Sequence, residues 1–336
     1  MPVAASPFLS RLPLLPCLCG ALCCPLPSLA ADESPAPALI ESGIAATDAT
    51  QDYISRQFVS MVGSIDRFFG DERHFQESND SVLQLGWNEL LEPGGERRGR
   101  LSGRAKLHLP AISQRIQLVL ESDPVQSTAT PGSNTSPTDQ PQAIGQSRGT
   151  EKQGVALRFQ HQRAQQEATG WRLYSDVGFQ VRSPLRPFVR SRASFVLPFE
   201  NWQMNTTESL FWFNGIGPGA GALLDFDRPL ATQLLFRASS NATWFDRPQR
   251  LDLRQDLILF HTLDERSALQ YQAGVIGTTQ PATRVEDCIV SVLYRRQLHR
   301  KWLFFELNPQ LHFPHEQQFH FTPQLWLRLQ VLFSKE

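Results

Sequence analysis

The side chains able to do chemistry here are mostly charged, and many recur at every second position. Arg104 and Lys106 are spaced by two, as are Arg190 and Arg192 and the trio Asp252, Arg254 and Asp256. That spacing puts side chains on one face of an extended strand. Continued along the chain, the same face collects Arg104, Lys106, Arg158, Arg172, Arg182, Arg190, Arg192, Arg237, Arg254, Arg295 and Arg328. Glu121, Asp176, Asp252, Asp256 and Glu306 stand against them. Eleven basic groups against five acidic ones leave an excess of six, although the whole 336-residue chain carries a net charge of only −1. Fixed positive charge around an enclosed aqueous space concentrates anions and favours their entry. If the same groups pair with carboxylates, they brace a filled interior instead.

Other chemistry is thin. His312-x-x-His315 with Glu316 and His320 offers metal-ligand types, but no third fixed ligand supports them. His161 precedes Gln162-Arg163 and His261 precedes Thr262-Leu263, so no His-x-Ser pair supplies a base for a nucleophile. The glycines between Asn214 and Asp227 read as an external loop and a tight turn. No glycine-rich loop joins a strand to a helix, and near-neutral charge gives nucleic acid no purchase. No catalytic residue, metal or cofactor is expected.

The elements that must position the charged face alternate with period two from 81 to 333. Leu325, Leu327, Leu329, Val331 and Phe333 face one way, with Trp326, Arg328 and Gln330 facing the other. Segmentation predicts strands near 81–91, 98–109, 114–122, 153–162, 170–182, 188–198 and 201–213. Seven more are expected near 221–228, 232–246, 249–262, 267–278, 284–298, 301–313 and 318–333. That is about fourteen strands, within a range of twelve to sixteen. Pro309 and Pro323 fall inside two of them and predict a bulge or a displaced boundary. The polar stretch 122–152 reads as a long external loop.

Before the strands, Ile54, Phe58, Met61, Ile65 and Phe68 recur at steps of four and three, then Gly70 follows. They predict an amphipathic periplasmic helix at 51–70, packed against the domain end or the membrane interface, or acting as a regulatory plug. Residues 32–50 read as a flexible linker. Residues 1–31, with Arg11, an apolar run and Ser28-Leu29-Ala30-Ala31, read as a cleaved secretory signal. A lipoprotein would need a small residue before the acylated cysteine, and Cys23 and Cys24 follow Leu22 and Cys23. Of five cysteines only Cys288 lies beyond this leader, so no intrachain disulfide is expected in the exported fold.

A soluble β-sandwich would also alternate, but it would hide its apolar face and expose the charges. The terminal apolar strand and the tryptophans near strand ends (Trp87, Trp171, Trp202, Trp212, Trp244, Trp302 and Trp326) favour a membrane barrel with interface girdles. Ten residues tilted by about 45° suffice to cross a bilayer. The signal at Leu12–Ala31, the alternating strands and the closing Leu325-Trp-Leu-Arg-Leu-Gln-Val-Leu-Phe333 together resemble Gram-negative outer-membrane β-barrel proteins.

The resemblance implies an all-β transmembrane antiparallel barrel over 81–333 and residence in the outer membrane. It implies outer-membrane lipid as surroundings and recognition of Leu325, Leu327, Leu329, Val331 and Phe333 by the barrel-assembly machinery. Ser334-Lys335-Glu336 after the terminal Phe departs from that pattern. Three functions stay open. One is a weakly anion-selective pore or passive transporter for small anionic solutes. The second is a structural barrel with a filled or plugged interior. The third is an outer-membrane lipid hydrolase, since the glycine-rich stretch before Asp225 and Asp227 faintly resembles one in outer-membrane phospholipase.

Overall fold

A computed structural model describes residues 60–69, 81–95, 97–108, 116–122, 153–161, 170–181, 183–199, 201–299 and 302–334. The expected signal 1–31, linker 32–50, first half of helix 51–70 and nearly all of loop 122–152 lie outside those residues.

Fourteen strands form one closed antiparallel barrel. They are β1 (Val82–Leu91), β2 (Arg97–His108), β3 (Ile116–Glu121), β4 (Gly154–Gln160), β5 (Gly170–Gln180), β6 (Arg186–Phe199) and β7 (Trp202–Phe213). Then follow β8 (Gly217–Ala231), β9 (Leu234–Phe245), β10 (Arg250–Asp264), β11 (Ser267–Thr278), β12 (Arg284–His299), β13 (Leu303–Pro314) and β14 (Thr322–Ser334). Each strand pairs with its sequence neighbours, and β14 closes on β1 without a slip from Val82↔Ser334 to Leu91↔Leu325. Closure removes the unpaired edges that a sheet cannot show to lipid. Helix α1 spans 60–69.

Alternation decides which face turns out. Leu83, Leu85, Trp87, Leu101, Val155, Leu157 and Trp171 are exposed on the outside, while Asn88, Lys106, Gln117, Arg158 and Asp176 are buried inside. An apolar exterior around a polar interior is the architecture of outer-membrane β-barrel proteins. The alternative sandwich, with its apolar residues hidden, is not what the chain forms. Turns differ between the two rims. The rim where β1 starts and β14 ends carries tight connections at 232–233 and 265–266, and the opposite rim carries the longer 279–283 and 315–321.

Three expectations need correction. Trp326 does not join the outer girdle; it points inward beside Arg328 and Gln330 and is 8% exposed. The glycine stretch is not mainly a loop, because β8 already begins at Gly217 and only 214–216 turns. Gly219 has no side chain because a Cβ there would lie 2.2 Å from Phe211 Cε2. Gly219→Ala is expected to cost about 1–3 kcal/mol through overpacking, readable as a lower urea midpoint for the detergent-folded barrel. Finally, Pro309 sits within β13 without moving its ends, whereas β14 starts at Thr322, four residues after the expected 318, with Pro323 as its second residue. The β13–β14 register is unbroken, but the β12–β13 ladder skips Val292 and Leu293. That lapse falls opposite Pro309, which has no N–H to donate.

Candidate functional site

The candidate site is the lumen, and helix α1 lies within it. Val62, Ile65 and Phe69 are buried against Leu235 of β9, Ile258 and Phe260 of β10, Ala268 of β11 and Leu293 of β12. Phe69 meets Phe260 at 5.1 Å between ring centroids, and Phe68 meets Phe304 of β13 edge-on at 6.0 Å. This apolar patch interrupts an otherwise polar inner wall, at the rim where β1 starts and β14 ends. Asp66 adds charge to the docking: Arg237 Nη2 donates to Asp66 Oδ1 at 2.8 Å and Arg237 Nε to Asp227 Oδ1 at 2.5 Å. Residues 60–69 thus pack on inward-facing side chains of β9 to β13. Their apolar stripe hid Asp66 from a reading built on hydrophobic period alone.

Charge chains cross the rest of the wall. Register sets Arg158, Asp176 and Arg190 directly side by side on β4, β5 and β6. Arg158 donates to both oxygens of Asp176 at 2.7 and 2.8 Å, and Arg190 Nε donates to Asp176 Oδ2 at 2.6 Å. The other two nitrogens of Arg190 grip Glu121 of β3 at 2.7 and 3.0 Å. Elsewhere Arg254 holds Asp256, which also accepts from Gln272 at 2.8 Å. Arg295 pairs with Glu306, and Arg328 reaches both Glu306 and Asn88.

Near the opposite rim, Phe188, Phe211, Phe213 and Phe245 gather inside the barrel around Ala156 and Ile216. Arg190 lies over the Phe188 ring and Arg250 over the Phe245 ring, at 5.8 and 5.0 Å from the centroids. The lumen therefore has an aromatic cluster towards one end, a helix towards the other, and ion pairs and carboxamides between them.

Of the charged residues expected on this face, Lys106, Arg158, Arg190, Arg192, Arg237, Arg254, Arg295, Glu121, Asp176, Asp256 and Glu306 are buried inside. Arg104, Arg172, Arg328 and Asp252 share that face half-buried, and Arg182 lies outside the described residues. The expected excess of six positive charges does not hold. Asp66, Asp225, Asp227 and Asp287 also turn inward, so seven buried cations meet eight buried carboxylates among the described residues. Asp225 and Asp227 share β8 with the glycines that drew the reading away from them. Asp287 follows a register shift that a strict two-residue count misplaces.

The charges are nevertheless unevenly spread. Strands β2–β6 carry Arg104, Lys106, Arg158, Arg172, Arg190 and Arg192 against Glu121 and Asp176. The arc β8–β14 with helix α1 carries Arg237, Arg254, Arg295 and Arg328 against Asp66, Asp225, Asp227, Asp252, Asp256, Asp287 and Glu306. One wall is basic and the facing wall acidic.

The histidines do not converge. His312 faces the lumen between Asp287 Oδ2 at 2.7 Å and Gln310 Oε1 at 2.9 Å. His315 packs on Phe319, and His320 bonds the backbone oxygen of Gln317. Among the described residues no group of three metal-ligand types forms. One pairing was invisible to motif reading: His161 Nε2 lies 2.9 Å from Ser175 Oγ, itself 3.0 Å from Ser191 Oγ, on the outer wall. Cross-strand neighbours carry no signature in linear spacing. Among the described residues no hydrogen bond or ion pair joins a carboxylate to His161, the place where a hydrolytic triad has its orienting acid.

No family model matches the chain. No curated protein matches it either. Among solved structures, the outer membrane channel DcaP of Acinetobacter baumannii is 8% identical, covering 76% of this chain and 96% of that one with a TM-score of 0.41. The high-pH structure of Pseudomonas putida OprB is 9% identical, covering 76% and 94% at 0.44. The KdgM porin in complex with disordered oligogalacturonate is 14% identical, covering 55% and 94% at 0.36. The likeness is one of barrel fold alone.

Proposed function

We propose that the protein is an outer-membrane pore for small polar solutes, narrowed from the periplasmic side by helix α1. The observation that carries this reading is the inward face itself. It is lined with charges and carboxamides while the outer face is apolar. Gln117 Oε1, Gln203 Oε1, Gln270 Oε1 and Gln330 Oε1 are buried inside with no hydrogen-bond partner in the protein. Such groups need water, which an aqueous lumen supplies. Short turns and both ends of the barrel sequence share one rim, which outer-membrane barrels turn to the periplasm.

The basic wall over β2–β6 faces the acidic wall across the lumen, so a passing solute meets a transverse field. The near balance of charge limits selectivity, and with the half-buried Arg104, Arg172, Arg328 and Asp252 included, ten inward cations against nine carboxylates tip it weakly towards anions. In planar bilayers under a salt gradient, the protein is expected to conduct with an anion preference below about threefold. Lys106→Glu with Arg192→Glu is expected to turn that preference towards cations. A strong cation preference in the parent protein would contradict this reading.

A second reading has its own support, because the helix and the Phe188–Phe245 cluster occupy the two ends of the lumen. On that reading the barrel is closed and structural. Absence of conductance both with and without residues 51–70 would establish it in place of the pore. Lipid on the outer wall and assembly through the β14 residues Leu325 to Phe333 belong to either reading.

A further inference from the structure

Among the described residues the apolar outer wall carries, besides the His161–Ser175–Ser191 row, one polar area that includes a carboxylate. On β7, midway between the girdle residues Trp202 and Trp212, Thr206 and Glu208 point outward, with Thr206 Oγ1 donating to Glu208 Oε1 at 3.1 Å. On β9 and β10, Ser240 and Gln255 also face out, with Ser240 Oγ donating to Gln255 Oε1 at 2.5 Å. Register assembles these into two adjacent rows, Glu208–Ala222–Ala242 and Thr206–Leu224–Ser240–Gln255. Ala193 and Ala220 widen the shallow area, and Leu210 rises beside it with 66% exposure.

A mid-strand carboxylate aimed at acyl chains is costly. Glutamate is too short to reach either interface, and lipid tails offer it no donor. One hydroxyl from Thr206 only partly meets its four lone-pair sites. Polar side chains among small ones are instead the makings of a protein–protein contact within a bilayer, where small residues let backbones approach and polar groups bond across.

The occupant is indicated by the patch's own complementarity. Its β7 side holds the acceptor Glu208, and its β9–β10 side holds hydroxyl and amide donors. A two-fold axis along the membrane normal, passing between β8 and β9, sets the β7 side of one copy against the β9–β10 side of the other. Glu208 then faces donors twice over, as an isologous interface requires. The protruding Leu210 and the alanine hollow lie on the same surface. We propose that this patch is the contact between two copies of this chain, forming a homodimer in the membrane. The proposal is independent of whether the lumen conducts.

The test uses full-length protein extracted in mild detergent and sized by light scattering with detergent correction. Twice the chain mass is expected. Glu208→Leu and, separately, Ala222→Trp are expected to abolish the dimer. Both variants should keep the heat-modifiable gel shift of a closed barrel, which separates lost contact from failed folding. Ala242→Cys, in a background free of other cysteines, should form a disulfide-linked product of twice the chain mass upon oxidation of intact membranes. A monomeric parent protein, or a crosslinked product of any other mass, overturns the proposal.

Discussion

Deleting residues 51–70 is expected to raise single-channel conductance roughly threefold, since a helix with side chains is about 10–12 Å across and the barrel falls between the filled eight-strand and open sixteen-strand sizes. The expectation follows from where the helix sits. Val62, Ile65 and Phe69 cover Leu235, Ile258 and Phe260, which would otherwise line the lumen as an apolar patch. A single change should give part of the effect. Phe69→Asp sets a second carboxylate three residues from Asp66 and against the Phe260 ring, so the docked state weakens and openings lengthen or flicker. Unchanged conductance in both variants would mean that the helix does not govern the path. Asp66→Asn is the milder probe, because Arg237 keeps Asp227 as its partner.

The second large effect concerns stability. Arg190→Met is expected to destabilise the folded barrel by about 3–5 kcal/mol, the usual consequence of stripping one partner from a buried ion pair. Arg190 holds Glu121 through two nitrogens and Asp176 through the third. Asp176 retains Arg158 after the change, but Glu121 loses both bonds that Arg190 makes to it. Urea unfolding of the detergent-folded protein reads the loss directly. Pairing the change with Glu121→Gln should recover much of it, since the less compensated carboxylate charge and not the missing arginine carries most of the cost. A double variant as unstable as Arg190→Met alone would place that cost elsewhere, in the packing of the guanidinium over Phe188.

Much of this architecture could be read from the chain because strand alternation is local. Twelve of the fourteen expected segments meet their strands to within about three residues at both ends, as when 267–278 matches Ser267–Thr278, and β14 starts four residues later than expected. The least faithful is β8, where Gly217, Gly219 and Gly221 imitate a loop because their missing side chains leave no alternation to see. The interior was half legible. A two-residue period names the face that Arg158, Asp176 and Arg190 share, and it cannot say that register sets them abreast or that Arg190 spans to Glu121, 69 residues away. The Asp66–Arg237 contact, separated by 171 residues, depends on a helix entering the barrel. The outward Glu208 was passed over for a different reason, because lipid exposure becomes meaningful only once the barrel closes.

The most direct test of the account is a cysteine scan along β11 from Leu269 to Ile276 in a background free of other cysteines. Gln270, Gln272, Gly274 and Ile276 face inward, and Leu269, Tyr271, Ala273 and Val275 face outward. In proteoliposomes, a small water-soluble thiol reagent should label the even positions, while fluorophores at the odd positions should be quenched by lipid-borne quenchers. Labelling that favours the odd positions, or none at the even ones after residues 51–70 are removed, would contradict an aqueous lumen enclosed by the charged face.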